Sequence, residues 1–220
     1  MTTFNISNEE YFKIKNKILP FMIEVSDYFK IFMSDLRYYH YIFYCERVLG
    51  VTYVLAPSSF NDLDGFTKKS DYGTGVYINN TNSYNRIHFT YAHEIIHVVF
   101  HKNNSTFASI GKGVYSDESK LEELEANIGA SLLMANDSII EELLERKYTF
   151  VEMCNTLEMS RKALHTRLIN YVQYDLEFSN NVAKNIVYQF RYGINLNLFE
   201  IYEESKIRLF IKELIDNTSF

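Results

Sequence analysis

The sequence predicts an α+β fold in which one small antiparallel sheet sits between helical stretches rather than alternating with them. Three observations carry this reading. Apolar residues recur at helical spacing through the first fifty residues, and short β-prone runs bounded by turn signals lie between residues 51 and 78. From residue 90 onward, cap residues open one helical pattern after another. A chain of 220 residues can bury one sizeable core or two small ones, and 47% apolar content with only 2 Pro and 8 Gly excludes a disordered or fibrous class.

From Glu9 to Gly50 the only strong breaker is Pro20, and Ile18, Phe21, Met22, Val25, Phe29, Phe32, Met33 and Leu36 keep helical spacing, so two or three helices are expected there. Val51 to Leu55 is a β-branched and aromatic run closed by Pro57. Phe66 to Lys69 and Gly75 to Ile78 are two more extended stretches, separated by Ser70-Asp-Tyr-Gly73 and followed by the turn cluster Asn79 to Ser83. Thr90 is then placed to cap a helix from Tyr91 to about His101, and an acid-rich start opens another from about Asp117 to Ala135. Asn136, Thr149 and Ser160 are the next three cap signals, leading to helices that end near Tyr171. Residues 174–220 read as helical and carry no motif.

Charge and cysteine usage narrow the function classes. Lys+Arg 22 against Asp+Glu 28 leaves −6, a bulk field that repels a phosphate backbone, so nucleic-acid contact would need a local patch. The two cysteines, Cys45 and Cys154, are far apart and lack metal or disulfide spacing, which fits a reducing cytoplasm. Residues 1–10 lack the basic-then-apolar layout of a leader, and no apolar run approaches a membrane span, so no membrane association is expected.

The segment that carries chemistry is His93-Glu94-Ile-Ile-His97. Two histidines four apart on a helix share one face, close enough to bind one metal ion, while Glu94 is rotated toward the side where a water would sit. This is zincin geometry and predicts a zincin-like metallopeptidase core. Zn²⁺ on two neutral imidazoles and a third protein ligand keeps an open position, where a water with its pKa lowered to about 7 is activated by the glutamate. The residues between the histidines are apolar and bury the helix, so both rings need a partner that a metal supplies.

The third ligand sets the subclass. A metzincin has a third His six residues after the second, preceded by a Gly; Asn103 and Phe100 stand at those positions, which excludes that class. His101 lies four residues past His97, where the helix has turned away from the metal, and is read as supporting His97 or closing the helix. A carboxylate from the acidic helix is the remaining donor, with Glu122, Glu123 and Glu125 competing. Glu123 is favoured, because Ala126, Asn127 and Ala130 follow it on a small-residue stripe that lets the two helices approach, and Asn127 is placed to hydrogen-bond a ligand. Glu125 is next. For the oxyanion of the reaction, Tyr72, Tyr77, Tyr91 and His88 are candidates, and residues 76–78 offer a strand to pair with an extended substrate.

Phe89-Thr-x-Ala-His93-Glu-x-x-His97-x-x-x-His101, followed by Glu123-x-Glu-Ala-Asn127 and Ala130-Ser-Leu-Leu-Met134, resembles the ImmA/IrrE family of metallo-endopeptidases over about residues 51–135, and more weakly over 139–171. The resemblance implies zinc on His93, His97 and Glu123, Glu94 as catalytic base, and a helix-turn-helix transcriptional repressor as protein substrate, cleaved to relieve repression in a mobile element or a stress response. Ile96 stands where the family commonly has Gly, which implies a narrower space beside the metal. The aromatic usual near Gly129 is missing, and Asn136 replaces a common Pro.

Thr149 to Leu168 has a helix, short turn, helix layout whose second helix offers Arg161, Lys162 and Arg167. Residues 139–171 nonetheless hold five basic and five acidic side chains, so the unit is electrically neutral and is expected to pack or dock rather than bind DNA. The chain thus divides into a zinc metallopeptidase domain with an N-terminal helical extension (1–135), a helix-turn-helix-like segment (136–173) and a helical remainder (174–220). The competing reading is a non-proteolytic regulatory protein that holds DNA or a partner through the helix-turn-helix, with a structural or vestigial metal site.

Overall fold

The computed structural model describes residues 6–56, 63–101, 106–110, 117–194 and 197–218. Helix α1 (Asn8–Phe29) opens on a capping box in which Ser7 and Glu10 bond each other's backbone N–H groups, and it ends at Lys30 in the left-handed conformation. It runs straight through Pro20. The lost hydrogen bond and ring clash cost about 3 kcal/mol, whereas Tyr11, Ile14, Ile18, Phe21, Met22 and Val25 are all buried along one face at roughly 1.5–3 kcal/mol each. Burial wins. A short 3-10 turn (Met33–Asp35) leads into α2 (Tyr38–Val48).

Strands β1 (Val51–Ala56), β2 (Leu63–Ser70), β3 (Gly73–Asn79) and β4 (Thr106–Ile110) form one sheet in the order β1-β3-β2-β4. The sheet is mixed, which corrects the expectation of a wholly antiparallel one: β1 pairs β3 in parallel, and β2 pairs β3 and β4 antiparallel. The tight turn at Asp71 and Tyr72, with Gly73 at φ 130°, makes β2 and β3 immediate antiparallel neighbours. A separate long-range pairing puts β3, not β2, beside β1. Both edges of β3 are therefore used, so residues 76–78 have no edge to offer a substrate, and β1 and β4 are the outer strands. Pro57 and Asn103 lie outside the described residues.

Helix α3 (Tyr84–Phe100) starts at Ser83, seven residues before the expected cap. Thr90 lies inside it, its hydroxyl donating back to the Arg86 carbonyl at 2.8 Å. The β-prone residues 86–89 are helical because tertiary packing overrides their propensity: Phe89 is in the core and the His88 ring stacks on Tyr38 of α2, centroids 4.0 Å apart. Helix α3 then lies along β2. A Cβ on Gly65 would sit 2.7 Å from the Thr90 methyl and 2.9 Å from the Tyr77 carbonyl, so glycine is what permits this approach. Two residues on, the Thr67 hydroxyl reaches Glu94; two further, Lys69 reaches the carbonyls of His97, Val98 and His101 at 3.1–3.4 Å, a cation on the negative end of the helix.

Helix α4 (Asp117–Met134) packs across α3, and α5 (Asp137–Glu145), α6 (Phe150–Thr156) and α7 (Arg161–Asn170) follow. The three predicted caps hold: Asn136 accepts from the Ile139 N–H, Thr149 forms a capping box with Glu152, and Ser160 accepts from the Ala163 N–H. A π-helical turn (Tyr171–Asp175) extends α7 and leads to α8 (Asn180–Tyr192) and α9 (Asn197–Thr218). One apolar core runs from Tyr11 to Tyr202. Among the described residues no helix is long and apolar enough to cross a membrane.

Arg167 departs from the expected layout of the helix-turn-helix-like segment. Its side chain is 0% exposed, donates from Nε to the Ala135 carbonyl at 2.7 Å and pairs with Asp137. Lys15 of α1 bridges Asp137 and Asp175, at 2.5 Å from the latter. Of the three basic residues on that helix, this one belongs to the interior.

Candidate metal centre

The α3–α4 packing brings the predicted ligands together. His93 Nε2 and His97 Nε2 are 3.1 Å apart, and the two Glu123 carboxylate oxygens lie 3.4 Å from the first and 3.3 Å from the second. Among the described residues, these three form the group whose ligand atoms lie within 4.8 Å of one another. The spacing tests the fit of a metal. Bonds of 2.0–2.2 Å in a tetrahedron put neighbouring ligand atoms about 3.3–3.6 Å apart, so two nitrogens 3.1 Å apart, each with its own Glu123 oxygen at 3.3–3.4 Å, lie near the spacing of a zinc ligand set. The two buried imidazole nitrogens face each other at 3.1 Å, a contact that one N–H or a shared cation satisfies.

Glu123 and Glu125 are two residues, hence about 200°, apart on α4, so only one can face His93 and His97. Glu125 turns to His101 (Nε2 to Oε2, 3.0 Å) and to Lys17 of α1 (2.6 Å). Glu122 is not in the three-residue group. Asn127 donates to the backbone carbonyl of Glu123 at 2.8 Å rather than to its carboxylate, steadying the turn that carries the ligand.

The electrostatics suit a divalent cation. Burial pulls the His93 ring down, but the adjoining Glu123 and the Glu94 charge outweigh it and the net shift is upward. Burial pushes His97 down to about 4, leaving it neutral at pH 7. Burial would raise the Glu123 carboxyl, yet the two neighbouring rings hold it at about 2. The arrangement keeps a carboxylate and a neutral imidazole ready for a divalent cation.

Glu94 is 0% exposed, and its Oε2 accepts from the Thr67 hydroxyl at 2.8 Å. Thr67 was not singled out by the sequence, since no motif surrounds it; the alternation of Gly65, Thr67 and Lys69 on one strand face is the signal that points to it. His101 lies behind His97, their Nδ1 atoms 2.8 Å apart, in keeping with its reading as a support.

Ile96 does not narrow the site. Its Cγ1 and Cδ1 fill the seam against Gly129, where a Cβ would lie 2.7 Å from both and 2.8 Å from Ile18 Cδ1. A glycine opposite therefore absorbs the extra bulk. The oxyanion candidates are placed elsewhere or already engaged: Tyr72 is fully exposed at the β2–β3 turn, Tyr77 stacks on Phe66 and Tyr91 packs on Tyr53. His88 bonds the Tyr38 hydroxyl at 2.9 Å and lies 3.1 Å from Glu158.

A family model described as Peptidase M78, IrrE N-terminal-like domain, matches residues 36–168, more than half of the chain. The match begins before the stretch in which the motifs resemble the family, and it encloses the whole three-residue group. No curated protein matches the chain.

Proposed function

The chain belongs to the Peptidase M78 family, and from that premise we propose that it is a zinc-dependent endopeptidase with His93, His97 and Glu123 as ligands and Glu94 as general base. The observation that carries the reading is the convergence of His93, His97 and the Glu123 carboxylate, with contacts of 3.1–3.4 Å, next to a glutamate held by Thr67. A bound zinc ion supplies Lewis acidity, polarising the scissile carbonyl and lowering the pKa of water to about 7. Glu94 takes a proton from the attacking water as its oxygen adds to the carbonyl carbon. The C–N bond then breaks and Glu94 passes the proton to the leaving amine. Thr67 fixes the rotation of the Glu94 carboxylate, so the base is positioned before substrate arrives.

The substrate class in this proposal is a helix-turn-helix transcriptional repressor, resting on the ImmA/IrrE resemblance. Burial of Arg167 supports protein rather than DNA as the partner, because it withdraws one of three basic residues from an already neutral segment. Glu94→Gln tests both halves. It keeps size but cannot take the proton, so the variant should retain about one zinc per chain by elemental analysis while losing roughly 10²–10⁴-fold in cleavage rate. Co-expression with a repressor encoded nearby should give fragments and reporter derepression with the wild type only. Derepression that persists with Glu94→Gln and without fragments would replace proteolysis by sequestration.

A further inference from the structure

The face of α3 that carries the two histidines continues toward the start of the helix. Arg86, Phe89, His93 and His97 follow one another at steps of three, four and four residues, which keeps them on one side. Beside the first two lies a cavity of about 280 Å³, bounded on its far side by Lys162 and Ala163 at the start of α7.

We propose that this cavity is a subsite for an acidic side chain of the peptide substrate, selected by Lys162 and Arg86. The proposal rests on the peptidase reading above. Phe89 and Ala163 are buried and form an apolar floor, whereas Arg86 and Lys162 are exposed and stand at the rim. An occupant therefore needs an apolar stem and an anionic head. Glutamate supplies both, its methylenes on the floor and its carboxylate on the cations. None of the lining side chains is acidic. Lys162 forms no ion pair among the described residues, and the Ser83 hydroxyl makes no capping bond to the helix it opens, so a cation and a donor are uncommitted. Arg86 pairs with Asp64, which also accepts from Asn82 at 2.9 Å. Two cations against that one carboxylate leave the rim positive.

Distance sets the position of the acidic residue. Phe89 and Arg86 lie four and seven residues before His93, about 6 and 10.5 Å along the helix axis. An extended peptide passing the metal advances about 3.3 Å per residue. The acidic side chain should thus stand two or three residues from the scissile bond. The volume agrees, since it lies just below the range of about 300–1,000 Å³ usual for whole small-molecule ligands and suits one side chain. Lys162 belongs to the second helix of the helix-turn-helix-like segment, which gives that segment a part in choosing the substrate.

Two measurements test the proposal. In the first, ¹H–¹⁵N spectra of the full chain are recorded during titration with N-acetyl-glutamate N-methylamide and with its glutamine counterpart. The amide signals of Ser83, Ser160, Lys162 and Ala163 should move with the acidic probe alone, and Lys162→Glu should abolish the response. Equal responses to both probes, or none, would overturn the proposal; a response to a short DNA duplex and not to the acidic probe would assign the rim to a phosphate backbone instead. In the second, the zinc-loaded protein digests a mixed peptide library and mass spectrometry reads the cleavage sites. Glutamate should be preferred over glutamine at one position two or three residues from the cut. An exposed ion pair is worth up to about fivefold and charge reversal counts it twice, so Lys162→Glu should lower that preference by roughly 5–25-fold. Lys162→Arg should retain it. An unchanged preference in Lys162→Glu, or cleavage fixed by distance from the peptide's C-terminal carboxylate, refutes the side-chain subsite while leaving the peptidase standing. If the zinc-loaded wild type cuts no peptide, the peptidase reading fails and takes the substrate role with it, and the titration alone then decides whether the cavity selects a carboxylate.

Discussion

Replacing Arg167 with alanine separates an interior arginine from a nucleic-acid-facing one. The guanidinium is 0% exposed, its Nε bonds the Ala135 carbonyl at 2.7 Å, and its Nη2 pairs with Asp137, which also meets Lys15. Removing one partner from a buried pair costs about 3–5 kcal/mol, because the groups left behind lose their donor while largely shielded from water, and here Asp137 keeps 23% of its side chain exposed. Lys15 still faces Asp137, which places the expectation toward the lower end. For a chain of this size each kcal/mol moves Tm by about 2–4 °C, so the variant should melt roughly 6–20 °C lower. Arg161→Ala and Lys162→Ala, both at exposed positions, should stay within about 0.5 kcal/mol of wild type. Differential scanning calorimetry on the three variants, with urea unfolding as a check, measures this contrast. An Arg167→Ala melt within a degree or two of wild type would refute the burial argument. An accompanying loss of salt-dependent DNA binding would return the segment to a nucleic-acid role.

Two further outcomes follow from particular contacts. Thr67→Val keeps shape but removes the donor to Glu94, so kcat should fall about 10–100-fold with KM and zinc content unchanged; equal loss of zinc would mean that the residue shapes the ligand set instead. Asp137 is half-buried, which alone would raise its carboxyl, but Arg167 and then Lys15 outweigh this and hold it below the usual range. A depressed carboxylate contributes stability that is fully present above its unfolded pKa of about 3.9 and is lost as pH falls through the lower folded value. Asp137→Asn should therefore lower Tm at pH 7 and flatten its decline below about pH 4, and an unchanged acid limb would contradict the pairing.

The group His93, Glu94 and His97 was legible because its geometry is local: four residues of helix fix which side chains share a face. Glu123 was legible only as the favoured member of three, since choosing it needed the α3–α4 approach that the small residues of α4 permit. The mixed sheet was not legible. Which of two strands lies beside β1 depends on a pairing between residues 51–56 and 74–79, and short-range patterns carry no information on that choice. Arg167 counts with Arg161 and Lys162 among the basic residues of its helix, yet the period sets it apart: Ala163, Leu164, Arg167 and Leu168 occupy one buried face at helical spacing. The position of an arginine in the repeat was the better guide than its chemistry.

Helix α3 and strand β2 work as a vernier. Four helical residues advance about 6.0 Å, whereas two strand residues advance about 6.7 Å, so each successive contact between the two elements slips by about 0.7 Å. Three contacts fit before the slip becomes appreciable, and the three present are Gly65 with Thr90, Thr67 with Glu94, and Lys69 with the end of the helix. The outer two tolerate the drift, one because a bare backbone meets a methyl and the other because a long flexible amine can lean. The middle graduation lies between the two that drift, and it is there that the Glu94 carboxylate stands. A one-residue insertion in β2 between Gly65 and Thr67 would turn Thr67 to the opposite face of the strand, and Glu94 would lose its alignment mark while the residues of α3 stayed unchanged.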